Sequence, residues 1–234
     1  MSQTINTNLI SLNAQRNLST TQGMLSQSIQ RLSSGLRVNS AKDDAAGLAI
    51  AERMQAQVRG MNVAIRNAND AISLSQTAEG ALGKVGDMLQ RMRELAVQAA
   101  NATNGAGDLA NLDAEYQALG EEIGRALGNT KFNGLAILGA DAGAQEFQVG
   151  ANSGETITVT TTDMSSDADI AAVTGGDLTS AANASTALTN IDTALDTFNG
   201  ERAMYGATQN RFEAVIGALQ VAAENQAAAP SRIM

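Results

Sequence analysis

Residues 27–49 read QSIQRLSSGLRVNSAKDDAAGLA, and three textures meet in them. Up to Leu32 the apolar residues fall at helical spacing. Ser33-Ser34-Gly35 and Val38-Asn39-Ser40 then interrupt with small and polar residues. Asp43 and Asp44 open a second, longer helical pattern and read as first-turn acids favoured by the positive end of a helix. A rod, a joint and a second rod predict an extended molecule.

Upstream of the joint, the spacing predicts a helix over residues 3–36. Ile5, Leu9 and Leu12 share one face. Leu18, Leu25 and Leu32 then repeat every seven residues, with Ile29 and Leu36 at the complementary position, which is the spacing of a coiled-coil seam. The other faces carry Ser, Thr, Asn and Gln with little charge. A lone helix this thinly apolar is marginal in water, so its order is expected to come from partners. The alternative is an ordinary amphipathic helix packed on its own domain.

Downstream, residues 44–101 contain no Pro. Val58, Met61, Ile65, Ala68 and Ile72 step by three and four, and Leu82, Leu89 and Ala96 continue by sevens. At a rise of 1.5 Å per residue such a helix runs roughly 85 Å, which calls for a bundle. Asn101 to Gly105 (NATNG) supplies its stop. Leu109, Leu112, Tyr116, Leu119, Ile123 and Leu127 predict a third helix over 107–128, closed by Gly128 and Asn129. Phe147-Gln148-Val149 and Thr156 to Thr160 alternate like strands about the turn residues Gly150 to Gly154, which predicts a hairpin within 131–178. Leu188, Ile191, Leu195, Phe198, Tyr205, Phe212, Ile216, Leu219 and Ala223 form a last seam over 184–227, with Arg202 and Gln209 as its polar breaks. Such breaks often set register.

Composition narrows the function. Of 234 residues 44% are hydrophobic but only 3% aromatic, which suits close packing of helices better than a thick sandwich. There is no Cys and no His, so thiolate chemistry, disulfides and imidazole catalysis are excluded. A net charge of −9 argues against sequence-independent nucleic-acid binding. Residues 1–42 hold four basic side chains, Arg16, Arg31, Arg37 and Lys42, and no acidic one. The remainder then has 11 basic against 24 acidic residues, so arm and body meet different surroundings. No apolar run approaches the roughly 18–20 residues of a membrane span, and the N-terminus lacks the features of a Sec signal.

No catalytic constellation emerges, and no cofactor or metal site is expected. Gly80-Ala81-Leu82-Gly83-Lys84-Val85 lacks the spacing and the Ser/Thr of a phosphate loop. Glu121-Glu122 and Asp43-Asp44 are adjacent, and adjacent helical residues diverge by about 100°. Asp163, Asp167 and Asp169 lack the central Gly and closing Glu of a calcium loop, and read as a solvated loop.

The motifs INTNLISLNAQRNL, IQRLSSGLRVNSAKDDAAGLAIAERM, LQRMRELAVQAANAT, TKFNGLAIL, FQVGANSGETI, QNRFEAVI and the SRI ending follow one another in a recognisable order. By these the chain resembles bacterial flagellin over essentially its whole length. The resemblance implies a mainly α fold: an elongated coiled-coil or helical-bundle rod with a small β-hairpin region, plus an N-terminal extended helix. It maps residues 1–42 to an inner-tube helix and its spoke, 43–178 to the N-terminal part of a rod domain, and 179–234 to the rod's C-terminal helix. It leaves no room for variable outer domains. The implied role is non-enzymatic: a structural subunit of the flagellar filament, a homo-oligomeric helical polymer that supports motility.

The resemblance further implies secretion, unfolded, by the flagellar type III export apparatus. It also implies recognition by the flagellin-sensing Toll-like receptor of vertebrates, with the contact motif on Arg91, Leu95 and Glu115. Arg91 and Leu95 share a helix face at i, i+4, so one exposed patch is expected; the alternative for this surface is packing within the filament. Family members normally continue beyond SRI into a C-terminal inner helix, whereas this sequence stops at Met234. The expectation is that the partner of the residue 1–36 seam is missing, that this chain polymerises poorly alone, and that the export chaperone of that segment is in doubt. A hook–filament junction protein and a secreted ligand of an innate immune receptor are the rival roles.

Overall fold

A computed structural model describes residues 8–234. The order of elements is α1 (Leu9–Ser34), α2 (Ala45–Ala99), α3 (Ala106–Asn129), β1 (Lys131–Phe132), β2 (Leu135–Ala136), β3 (Ala144–Gln148), β4 (Thr156–Thr160), α4 (Ala168–Thr174) and α5 (Ala181–Ile233). The fold is mainly α, as expected, with two small antiparallel strand pairs, of which the β3–β4 hairpin was expected. The expected start at residue 3 and the place of Ile5 lie outside the described residues. Contacts divide the chain into two units, residues 61–220 and residues 1–60 with 221–234.

The core lies in the unit of residues 61–220. Its α2 stretch buries Met61, Ala64, Ala68, Ala71, Ser75, Ala78, Leu82, Val85, Leu89, Met92, Ala96 and Ala99, a three-four alternation throughout. Met61, Ala68, Leu82, Leu89 and Ala96 are buried as expected, but Ile65 and Ile72 are only half-buried, and Ala64 and Ala71 take the stripe beside them. Large side chains dominate a reading by eye, but a narrow interface between helices prefers alanine. The Ser75 hydroxyl is satisfied in the core by donating to the Ala71 carbonyl at 2.9 Å.

On α5 the buried stripe is Ala184, Ala187, Ile191, Ala194, Phe198, Tyr205 and Phe212. Phe198, Tyr205 and Phe212 are spaced by seven, and with Tyr116 of α3 they are the largest buried side chains. The alanines of α2 and these rings share one continuous cluster, so large groups are set among small ones. Full burial of each ring contributes about 1.5–3 kcal/mol. Within this unit α2 and α5 run antiparallel: Gln209 donates to Glu79 Oε2 at 2.8 Å, and Arg93 meets Asp192 at 2.7 Å. Gln209 is thus a polar break as expected. Arg202 is not: it is exposed, and the half-buried polar residue at that level is Glu201.

The segment between α3 and α5 straps the bundle. β3 and β4 pair with Phe147 opposite Ile157, so β3 starts three residues earlier than the alternation suggested and ends before Val149. β4 alternates, burying Ile157 and Val159. Phe147 meets Phe212 edge-to-face at 6.0 Å, and Asn67 donates to the Gln148 carbonyl at 3.0 Å. A second hairpin, β1–β2, turns on Asn133-Gly134, both at positive φ. Asn-Gly is a strong two-residue turn signal; the strands on either side are too short to alternate.

Residues 163–170 are a correction to the solvated loop. Asp167 caps α4, accepting from the Asp169 amide at 2.9 Å. Asp169 accepts from Thr197 at 2.8 Å, and Asp163 accepts from Ser165 and Ser166. Seven helical residues are too few for a periodicity to be read. Tyr116 ties α3 to α4 by donating to the Val173 carbonyl at 2.9 Å.

Candidate assembly surface

α1 is well delimited. Asn8 caps it, accepting from the Ile10 and Ser11 amides at 3.2 and 3.1 Å. Gly35 ends it in the left-handed region at φ 69°, where its N–H bonds the Arg31 carbonyl. Between these caps no residue is buried. Leu18, Leu25 and Ile29 are 58–61% exposed and Leu32 86%. Ile10 and Met24, not anticipated from the sequence, are equally exposed. Leu36 stands past the helix end and is half-buried, so as a helical stripe the seam stops at Leu32.

The joint explains why α1 stops where it does. Asp43 Oδ2 accepts from the amides of Asn39 and Ser40 and from the Ser40 hydroxyl at 3.1–3.3 Å. Its Oδ1 accepts from Gln27 of α1 at 2.8 Å. Asn39 in turn donates to Ser34 Oγ at 2.7 Å. One carboxylate thereby folds the joint and ties it back to α1. The Gln27 bond, then the Asn39 amide, holds the Asp43 carboxyl below its ordinary range. Asp44 is the N-cap of α2, accepting from the Ala46 and Gly47 amides at 3.1 and 2.9 Å. Neither aspartate is in the first turn of α2, contrary to expectation. Asn and Ser followed by Asp are good turn formers, a signal masked by the adjacent acid pair.

The same unit anchors the joint to the last turn of α5. Arg37 Nη2 donates to the Ile233 carbonyl at 2.9 Å, the Val38 amide donates to Met234 O at 3.3 Å, and Val38 is buried. A Cβ at Gly47 would stand 2.5 Å from Asp44 Oδ2 and 3.4 Å from Ile233 Cγ2, so glycine keeps both the cap and the approach of α5.

Of the three residues expected in one exposed patch, two are brought together at the surface. Arg91 and Glu115 pair at 2.8 Å with side chains about half exposed, and Arg91 also pairs with Glu94 at 2.8 Å. Leu95 is 1% exposed and belongs to the core cluster. Its helix face is shared between the stripe facing the core and the rim carrying Arg91.

The family model for the bacterial flagellin N-terminal helical region matches residues 5–142. A flagellin of Halalkalibacterium halodurans is 48% identical over 229 residues, covering 98% of this chain and 84% of that protein. A phase 1 flagellin of Salmonella naestved is 54% identical over 159 residues, covering 68% of this chain and 31% of that protein. The chain therefore spans about a third of the Salmonella relative's length but most of the Halalkalibacterium one. The crystal structure of Bacillus cereus flagellin superposes with a TM-score of 0.59 at 39% identity, covering 70% of this chain and 94% of that one.

Proposed function

Because this chain belongs to the bacterial flagellin family and is a structural subunit of the flagellar filament, we propose that the exposed stripe of α1 is the surface through which it joins other copies. The observation that carries this is a capped helix of 26 residues with no buried residue and a leucine repeat on its surface. In water each exposed leucine forgoes about 1.5–3 kcal/mol of burial. Stacking α1 against α1 of neighbouring copies recovers it, because all carry the same seven-residue repeat. On this reading residues 1–42 are the inner layer of the filament and its spoke. The helices of residues 43–178 and 179–234 form the rod layer around it.

Leu25→Asp tests the proposal. Filaments of the full-length protein seen by electron microscopy are expected to vanish, while the thermal midpoint of the free subunit is unchanged. Filaments of normal length from the variant would reject it.

Two finer readings go with the family. The chain leaves the cell through the flagellar export apparatus. Arg91 and Glu115 are the contacts of a flagellin-sensing Toll-like receptor, with Leu95 of the same motif beneath them. The exposed Arg91–Glu115 pair supports a receptor contact; the buried Leu95 would contribute by holding Arg91 in place. Receptor reporter assays should lose signal with Arg91→Ala and Glu115→Ala, and an undiminished signal would remove these residues from the contact.

A further inference from the structure

Two buried side-chain oxygens in the unit of residues 61–220 have no hydrogen-bond partner among the described residues: Glu201 Oε2 and Tyr205 Oη. Both belong to α5, four residues and so about one turn apart on one face. Both also converge on Thr162, just past β4. The Thr162 hydroxyl donates to the other carboxylate oxygen, Glu201 Oε1, at 3.0 Å. The Thr162 amide faces the Tyr205 oxygen, without closing a hydrogen bond of ordinary geometry. Tyr205 is completely buried and sits among the three rings spaced by seven on α5.

Orphaned polar atoms of this kind are uncommon in the interior of a native protein. A phenol that must donate and a carboxylate that can only accept are complementary, yet they do not meet. A single water reconciles them: it accepts from Tyr205 Oη–H and donates to Glu201 Oε2. We propose that Glu201, Tyr205 and Thr162 form a hydration site at the rim of the core, holding one ordered water that fastens the end of β4 to α5. Two of the contacts an internal water needs are supplied by the orphaned atoms, within the usual two to four. The site explains why α5 tolerates an acid at the level where its seam would otherwise carry an apolar residue. It also sets register: sliding the strap along α5 by one turn would separate Thr162 from both groups.

Two measurements on the full chain decide it. A high-resolution crystal structure should show one ordered water at hydrogen-bond distance, about 2.7–3.2 Å, from both Oε2 and Oη. A direct bond between Oε2 and Oη, or well-ordered side chains with no density between them, overturns the proposal. Tyr205→Phe keeps the ring and removes the hydroxyl. With a bridging water this removes the donor that holds it and leaves it on Glu201 Oε2 alone, and the folding equilibrium constant should fall about tenfold in thermal or denaturant unfolding. An unchanged or increased stability means that the hydroxyl was a burden rather than a link, and likewise overturns it.

Discussion

α1 and α5 carry the same repeat and meet opposite fates. Leu18, Leu25 and Leu32 are spaced by seven and stand in the open, whereas Phe198, Tyr205 and Phe212 are spaced by seven and are buried. The spacing is common to both; what differs is the surrounding sequence. α5 faces alanines of α2 across the core cluster and a hairpin that presents Phe147. Among the described residues, the side-chain hydrogen bonds that leave α1 go to its own joint, through Gln27 and Ser34. A seven-residue repeat therefore specifies a stripe, and the rest of the chain decides whether the fold or the assembly covers it.

The widest gap between the two helices should appear on truncation. Phe212→Ala is expected to cost the subunit about 3–5 kcal/mol in denaturant unfolding. Leu25→Ala, at an exposed site, should stay within about 0.5 kcal/mol and yet slow polymerisation followed by light scattering. Equal losses of subunit stability from both would break the contrast.

Alkaline titration reaches only the buried side. Burial, helped by the charges of Asp113 and Asp177, pushes the Tyr116 phenol up to about 12. The group is held neutral in the folded state, so its contribution is complete below the ordinary phenol value of about 10. It is lost as pH rises from there to about 12. Ultraviolet titration should show Tyr116 ionising together with unfolding, and an early ionisation at the free-phenol value would contradict this.

Acid reaches the exposed side. The folded Asp43 carboxyl is held low, so its tie between α1 and the joint is complete above the ordinary aspartate value near 3.9. The tie weakens as pH falls through the lowered folded value. Amide signals of Asn39 and Ser40 should shift in that range and in Asp43→Asn, and in the Asp43→Asn variant those of the α5 core stay put. Movement of both regions together would merge what the structure keeps apart.

The smallest effect belongs to a surface ion pair between α2 and α5. Arg93 and Asp192 join α2 to α5 but are about half exposed, and Arg93→Ala should lower the denaturant midpoint only slightly, an effect that fades in high salt.

The sequence already displayed much of this. Long periodic helices and the β3–β4 hairpin follow from spacing, and the family from its ordered motifs. What escaped reading has physical reasons. Alanine carries little hydrophobic weight, so Ala64 and Ala71 of α2 were hidden beside Ile65 and Ile72. β1, β2 and α4 are too short for any period to develop. Glu201 was overlooked for Arg202 because a half-buried acid beside a phenol has no local sequence signature. Asp43 looked like helix chemistry until its four hydrogen bonds placed it in the joint.

Hydrogen–deuterium exchange, followed along the chain in the free subunit and in filaments of the full-length protein, tests the central claim most directly. Amides of α1 should exchange quickly in the free subunit and become strongly protected in the filament, while the Phe198 to Phe212 stretch of α5 is protected in both. Protection of α1 already in the free subunit, or none gained on assembly, would contradict the assignment of its leucine stripe to the contact between copies.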